Sequence, residues 1–158
     1  MPSKSFDASL FSIFSYLDLK LVLFSEDKER NAVLHSLVDL LEREKQLKDK
    51  EAFYKAILER ERVVSTGIGM GIAIPHAKLP GYDTFFIAIA IHRKGVAWDA
   101  IDGMAVRIIF MIGGPDDRQT EYLQILSRLT LAIKDEERRK KMLQLNTREE
   151  IINLFRGI

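Results

Sequence analysis

Residues 85–91 read Phe85-Phe86-Ile87-Ala88-Ile89-Ala90-Ile91. Successive strand residues point to opposite faces, so a run with no polar position is apolar on both. Such a strand belongs in the middle of a sheet covered on each side. Downstream, Val96–Trp98 and Ala105–Ile112 flank Asp102-Gly103, and an Asp-Gly pair between apolar runs predicts a hairpin. Beyond Ile112, Pro115 suits a helix start, and Asp116 with Gln119 resembles a capping box. Leu123, Leu126, Thr130 and Ile133 then predict the inner stripe of a long helix. Thr147 and Glu150 form a second capping box, for a closing helix that carries Ile151, Leu154 and Phe155.

Upstream, Leu17, Leu19, Leu21 and Leu23 alternate with Asp18, Lys20 and Val22, which predicts a short strand. Ser25 offers an N-cap to a helix with Leu34, Leu37, Val38 and Leu41 at helical spacing. Asp49 can cap a second helix that turns Phe53, Ala56 and Ile57 inward and ends in charge at Glu59–Arg62. Helices before, between and after the strands imply an α/β fold: a single-domain sandwich with a mixed β-sheet flanked by helices. No repeat or Pro/Gly-rich linker divides the chain, so residues 1–158 are read as one domain.

Composition narrows the function. A formal net charge of +1 argues against a nucleic-acid binder, which should show a basic excess or stripe. The densest basic run, Arg138-Arg139-Lys140-Lys141, follows Asp135-Glu136-Glu137, the order a solvated helix adopts along its dipole. The chain has no cysteine, which removes disulfides, thiolate catalysis and Cys-ligated metal. Residues 8–17, with Lys4 ahead, have the apolar look of a short signal peptide. Asp7 and Asp18 bracket them, however, and no small-residue cleavage site follows. No run reaches the roughly 18–20 apolar residues that span a bilayer. A cytoplasmic protein without membrane insertion is the expectation.

The chemistry-bearing stretch is Thr66-Gly67-Ile68-Gly69-Met70-Gly71-Ile72-Ala73-Ile74-Pro75-His76-Ala77-Lys78. Read as one extended segment, it puts three glycines on one side and Ile68, Met70, Ile72, Ile74 and His76 on the other. Pro75 pushes Ile74 toward the extended region and donates nothing to a ladder. His76 should then stand where the strand leaves the sheet, anchored by a stiff apolar stripe. Neither the Walker pattern nor GxGxxG is present, so the glycines do not form a nucleotide loop. The other histidines read differently. His35 lies on the polar side of its helix with Asn31, Asp39 and Glu42, and His92 reads as a partly exposed strand-end residue. No second His, Glu or Asp stands at ligand spacing beside His76, so no metal is expected there.

Ile57-Leu58-Glu59-Arg60-Glu61-Arg62-Val63-Val64-Ser65-Thr66, running directly into that stretch, resembles the fructose/mannitol-type enzyme IIA domain of the bacterial phosphoenolpyruvate-dependent phosphotransferase system. The likeness covers roughly residues 17–155, and it implies an α/β sandwich with a mixed sheet. It also implies that His76, the histidine of the Ile-Pro-His motif, accepts a phosphoryl group from a histidine phosphocarrier protein (HPr or its nitrogen-branch counterpart). Arg60 matches the family arginine that holds the phosphoryl group. Two positions depart from the pattern. Ala77 replaces a common glycine, and Tyr122 stands where a second active-site histidine usually precedes a leucine. A phenol donates a hydrogen bond but is no base near neutral pH.

An imidazole is a good nucleophile near pH 7, and in-line phosphoryl transfer needs mainly positioning and donors for spreading negative charge. The resulting assignment is His76 as nucleophile and Arg60 as charge clamp, with Ser65, Thr66 and Tyr122 as phosphate-binding or orienting groups. No nucleotide, metal or other cofactor is required, because the donor is itself a phosphohistidine. The next partner would be an enzyme IIB or a regulated protein. With no cysteine for a fused IIB domain and no permease segment, the chain looks like the stand-alone nitrogen-regulatory type. A sugar-specific enzyme IIA, or a transfer-impaired regulatory module, is the alternative.

Overall fold

The computed structural model describes residues 11–158, so Lys4, Asp7 and the first residues of the signal-like stretch lie outside it. Two short 3-10 turns, Ile13–Tyr16 and Leu19–Leu21, lead into β1 (Val22–Phe24), α1 (Arg30–Arg43) and α2 (Lys50–Val63). Three short strands follow, β2 (Gly67–Gly69), β3 (Ile72–Ala73) and β4 (His76–Leu79). The long pair β5 (Phe86–Val96) and β6 (Val106–Pro115) precedes α3 (Gln119–Lys134), α4 (Glu136–Gln144) and α5 (Arg148–Asn153).

The sheet order is β1-β5-β6-β3-β2, and β4 continues the line of β3 along β6. β5 and β6 are antiparallel, whereas β1 on β5 and both β3 and β4 on β6 are parallel. The α/β sandwich with a mixed sheet is therefore what forms, in three layers. Ile87, Ile89 and Ile91 of β5 join Ile108, Phe110 and Ile112 of β6 beneath α3, α4 and α5. Phe86, Ala88 and Ala90 face the other way, with Ala73 and Ala77, toward α1 and α2. Each isoleucine removed from water stabilises by about 1.5–3 kcal/mol. The alanine side gives less area but lets Phe53 and Ile57 of α2 come close to the sheet.

Several local expectations hold. Asp49 accepts from Ala52 N at 3.1 Å and caps α2, and the Thr147–Glu150 box caps α5. Others need correction. Of the Leu17–Leu23 stretch only Val22 and Leu23 are strand, in β1, because Asp18 accepts from Lys20 N and winds Leu19–Leu21 into a turn. Ser25 does not cap α1, which starts after Glu29; its hydroxyl accepts from Asp27 N instead. Asp102-Gly103 sits within a nine-residue connection, residues 97–105, and is not a two-residue turn. Pro115 ends β6 rather than starting α3, and no side chain caps α3. The buried face of α3 is Tyr122, Ile125, Leu129, Ala132 and Ile133; of the expected stripe Ile133 is buried and Leu126 packs against the core, but Leu123 is exposed.

The glycine stretch is not one extended strand. Gly69, Met70 and Gly71 all have positive φ, which folds it into a β2–β3 hairpin braced by Asp102 Oδ2 on Met70 N, at 3.1 Å. Ile68 and Met70 are consequently exposed, and only Ile72 and Ile74 serve as the apolar anchor. The basic run on α4 is not all solvated surface either. Arg138 donates to Leu154 O and Ala132 O, and Arg139 to Ile133 O, tying α4 to its neighbours. Among the described residues no helix is long and apolar enough to cross a membrane.

Candidate functional site

His76 opens β4, paired with Ile112 of β6. The proline before it breaks the line between β3 and β4, and Pro75 O accepts from Ile112 N at 2.9 Å. The imidazole is half-buried at this point, where the last turn of α2 and the first turn of α3 converge. Its Nδ1 lies 3.0 Å from Ile74 O. Its Nε2 lies 3.3 Å from Arg60 Nε, whose N–H can only donate. These two contacts together require the proton on Nδ1 and the lone pair on Nε2. The ring is thus held as one tautomer with its lone-pair nitrogen toward the guanidinium.

Burial pushes the His76 pKa below the ordinary 6.5, the Ile74 bond pushes back, and the Arg60 and Lys78 charges push it down again. The ring is therefore neutral, and nucleophilic, at neutral pH.

Arg60 reaches the ring for a reason visible in α2. Phe53, Ile57 and Glu61 are spaced by four and form its buried stripe, so Arg60 is on the shoulder of that stripe. Its Nη1 donates to Val64 O at 2.9 Å, which steadies the guanidinium beside His76.

Tyr122 is buried against the same ring, with centroids 5.9 Å apart. Phe85 stacks on the Tyr122 ring, also at 5.9 Å. Burial raises the phenol pKa to about 12, with Arg60 acting in the opposite sense, so the hydroxyl is a donor throughout the neutral range. The slot exists because Gly113 and Gly114 leave room for Phe86 and Phe85. A Cβ on Gly113 would meet Phe86 at 2.4 Å and Phe53 at 2.6 Å, and one on Gly114 would meet Phe85 at 2.4 Å. Ala77, which pairs with Gly113, turns its methyl into the α1/α2 core and adds nothing to the site.

Ser65 and Thr66 are engaged elsewhere. Ser65 Oγ donates to Trp98 O at 2.8 Å and accepts from Gly67 N. Thr66 is buried; its hydroxyl donates to Glu61 Oε2 at 2.5 Å and accepts from Trp98 Nε1. Thr66 reaches the ring only through the backbone, its carbonyl accepting from Ile74 N at 3.0 Å.

Two residues that the sequence reading passed over belong here. Lys78 is two positions along β4 from His76, hence on the same face. Its ammonium is 4.2 Å from the Tyr122 ring centre and donates to Gln119 Oε1 at 2.9 Å. Glu61 was hidden in a charged run, although its spacing from Phe53 and Ile57 marks it as inward. The other histidines lie apart. His35 is exposed with Nδ1 3.2 Å from Asp39. His92 is fully enclosed rather than partly exposed, bonded to Asp27 O and Gly95 N. It is five residues beyond Ile87, which shares the His76–Ile112 register, and so does not share the edge with His76.

Comparison with known proteins shows the family and the fold. The family described as "Phosphoenolpyruvate-dependent sugar phosphotransferase system, EIIA 2" matches residues 15–157. A fructose-specific EIIABC component of Bacillus subtilis is 37% identical over 82% of this chain, which spans only 20% of that protein's length. A fructose-specific EIIA component of Haloferax volcanii is 33% identical, covering 77% of this chain and 79% of that one. Nitrogen regulatory protein IIA-Ntr of Neisseria meningitidis superposes with a TM-score of 0.84 at 28% identity, covering 90% of this chain and 98% of that one. Enzyme IIA mannitol of Escherichia coli, solved in complex with phosphorylated enzyme IIB mannitol, shares the fold with a TM-score of 0.75 at 17% identity over 90% and 98%.

Proposed function

The chain belongs to the EIIA 2 family of the phosphoenolpyruvate-dependent sugar phosphotransferase system, whose members receive a phosphoryl group on a histidine, and from that premise we propose that His76 Nε2 is the atom that carries it. The observation behind this reading is the pair of contacts that fix the ring, Ile74 O on Nδ1 and Arg60 Nε on Nε2. The lone pair of Nε2 attacks phosphorus while the bond from phosphorus to the donor's ring nitrogen breaks, that nitrogen keeping the electron pair. The proton on Nδ1 stays where it is. Arg60 bears on the transferring oxygens as they gain charge, with planar donors suited to them. In this reading Tyr122, whose ring lies against His76, donates to the same group, and Ser65 and Thr66 act by shaping the backbone beneath the ring.

The donor in this reading is a histidine phosphocarrier protein of the HPr type, in the cytoplasm. Incubation with that donor in its phosphorylated form should add one acid-labile phosphate, and His76→Ala should remove it. Undiminished labelling of His76→Ala would end this assignment. Downstream we favour the nitrogen-type regulatory role, supported by the superposition on IIA-Ntr across 98% of that chain. The identity to fructose-specific components supports a second reading, delivery of phosphate to an enzyme IIB. Loss of label to an added fructose-type enzyme IIB would favour transport. Partner capture that differs between wild type and His76→Asp would favour regulation. A transfer-impaired module would instead gain transfer when Tyr122→His is introduced.

A further inference from the structure

Glu61 presents an energetic puzzle. Only 3% of its surface is exposed, and among the described residues no lysine or arginine pairs with it. A buried carboxylate is costly unless its oxygens are satisfied. Here both are, by a single neighbour: Thr66 N donates to Oε1 at 2.9 Å and Thr66 Oγ1 donates to Oε2 at 2.5 Å. Trp98 Nε1 completes the cluster by donating to the Thr66 hydroxyl at 3.2 Å. Mere packing would be served better by an apolar side chain, which removes the desolvation cost altogether.

What distinguishes the cluster is where it leads. The Thr66 carbonyl accepts from Ile74 N at 3.0 Å, and the Ile74 carbonyl faces His76 Nδ1 at 3.0 Å. Hydrogen bonds and the intervening backbones of Thr66 and Ile74 thus link the Glu61 carboxylate to the imidazole. We propose that Glu61 is a positioning residue for phosphoryl transfer, whose carboxylate fixes Thr66 and Ile74 so that His76 stays protonated on Nδ1 with Nε2 open. This rests on the assignment of His76 as the phosphoryl acceptor and extends it to the far side of the ring.

The geometry also balances charge. Arg60 approaches His76 from the Nε2 side, and a lone guanidinium there drains electron density from the nucleophile. A buried negative charge behind the ring opposes that pull, and its effect on the His76 pKa is upward. The same charge favours the ring after transfer, when phosphorus on Nε2 leaves it short of electrons with the proton still on Nδ1. His35, by contrast, meets its acid directly, and His92 contacts the backbone of Asp27 and Gly95.

Glu61→Gln keeps the shape and removes the charge, Thr66→Val removes the side-chain link, and Trp98→Phe loosens the same cluster while leaving the carboxylate in place. Nitrogen-15 NMR of His76 reads both the tautomer and the pKa, and it needs no donor protein, so it remains decisive even if His76 takes no label. The expected result is a lower His76 pKa and a smaller Nδ1–H fraction in Glu61→Gln, a smaller Nδ1–H fraction in Thr66→Val, and neither change in Trp98→Phe. Transfer from the phosphorylated carrier should fall about tenfold or more in the first two. Unchanged tautomer and pKa in Glu61→Gln and Thr66→Val, or equal changes in Trp98→Phe, would reduce Glu61 to a structural acid and overturn the proposal.

Discussion

The ammonium of Lys78 stands 4.2 Å from the centre of the Tyr122 ring, so a cation rides on the aromatic wall that His76 leans against. The contact follows from β4, which turns its first and third residues to one face, and from Gln119, which steers the lysine from the start of α3. Replacing Lys78 by Met keeps the stem and removes the charge. Because that charge helps depress the His76 pKa, Lys78→Met should raise it toward 6.5, as read by NMR titration. The fold should lose only about 0.5–1 kcal/mol, the usual worth of an exposed cation–π contact. An unmoved His76 titration would separate Lys78 from the site.

Acid should cost stability in a defined window. The His76 pKa is depressed in the folded protein, so the unfolded chain, at about 6.5, takes up the proton first. Stability is then fully present above pH 6.5, declines as pH falls through it, and stops declining from this cause once the folded pKa is passed. Urea midpoints at pH 7.5 and 5.5 test the sign. His76→Ala should lose less on acidification than wild type, and an equal loss in both would place the linkage elsewhere.

Arg60 makes two hydrogen bonds, and substitution can separate its charge from its planar fork. Arg60→Ala removes the donor to His76 Nε2 and the bond to Val64 O. Transfer should fall by about 10²–10³, the range for losing one donor aimed at developing charge. Stability should fall by only about 1 kcal/mol. Arg60→Lys restores charge without a planar fork, so its transfer rate should stay well below wild type. Full activity in the lysine variant would mean that a point charge suffices.

A methyl group at position 113 should be felt across the whole site. Gly113→Ala drives a carbon against Phe86 and Phe53, and overpacking of this kind costs about 1–3 kcal/mol. Because Gly113 pairs with Ala77, next to His76, the variant should also broaden or shift the His76 NMR signals. Wild-type stability and spectra would show that the rings yield freely.

The sequence revealed the parts of this molecule where burial and period agree. Phe85–Ile91 announced a covered central strand, and Asp49 and Thr147 announced helix starts that the structure contains. It misled where backbone conformation overrode pattern. Glycines at alternate positions suggest one straight strand, yet three consecutive positive φ values, one of them at Met70, make a turn. The apolar spacing of α3 holds at Ile133 but fails at its start, where Leu123 is exposed and Tyr122 takes the core position. His76, Arg60 and Tyr122 could be found from sequence and do meet in space. Lys78 draws its significance from contacts with α3 that the sequence does not show, whereas the inward spacing of Glu61 with Phe53 and Ile57 is legible but masked by its charged neighbours.

Ala73, Ala77, Ala88 and Ala90 share one core with α1 and α2, Ala77 lying on β4, the strand that α2 packs against, and α2 is what carries the guanidinium to the imidazole. Single methyl groups act there as shims: thickening one of them would lift the helix and open the gap above Nε2 without altering any residue a donor protein could touch. Reactivity in this fold can therefore be tuned from the sheet's opposite face, by side-chain volume alone.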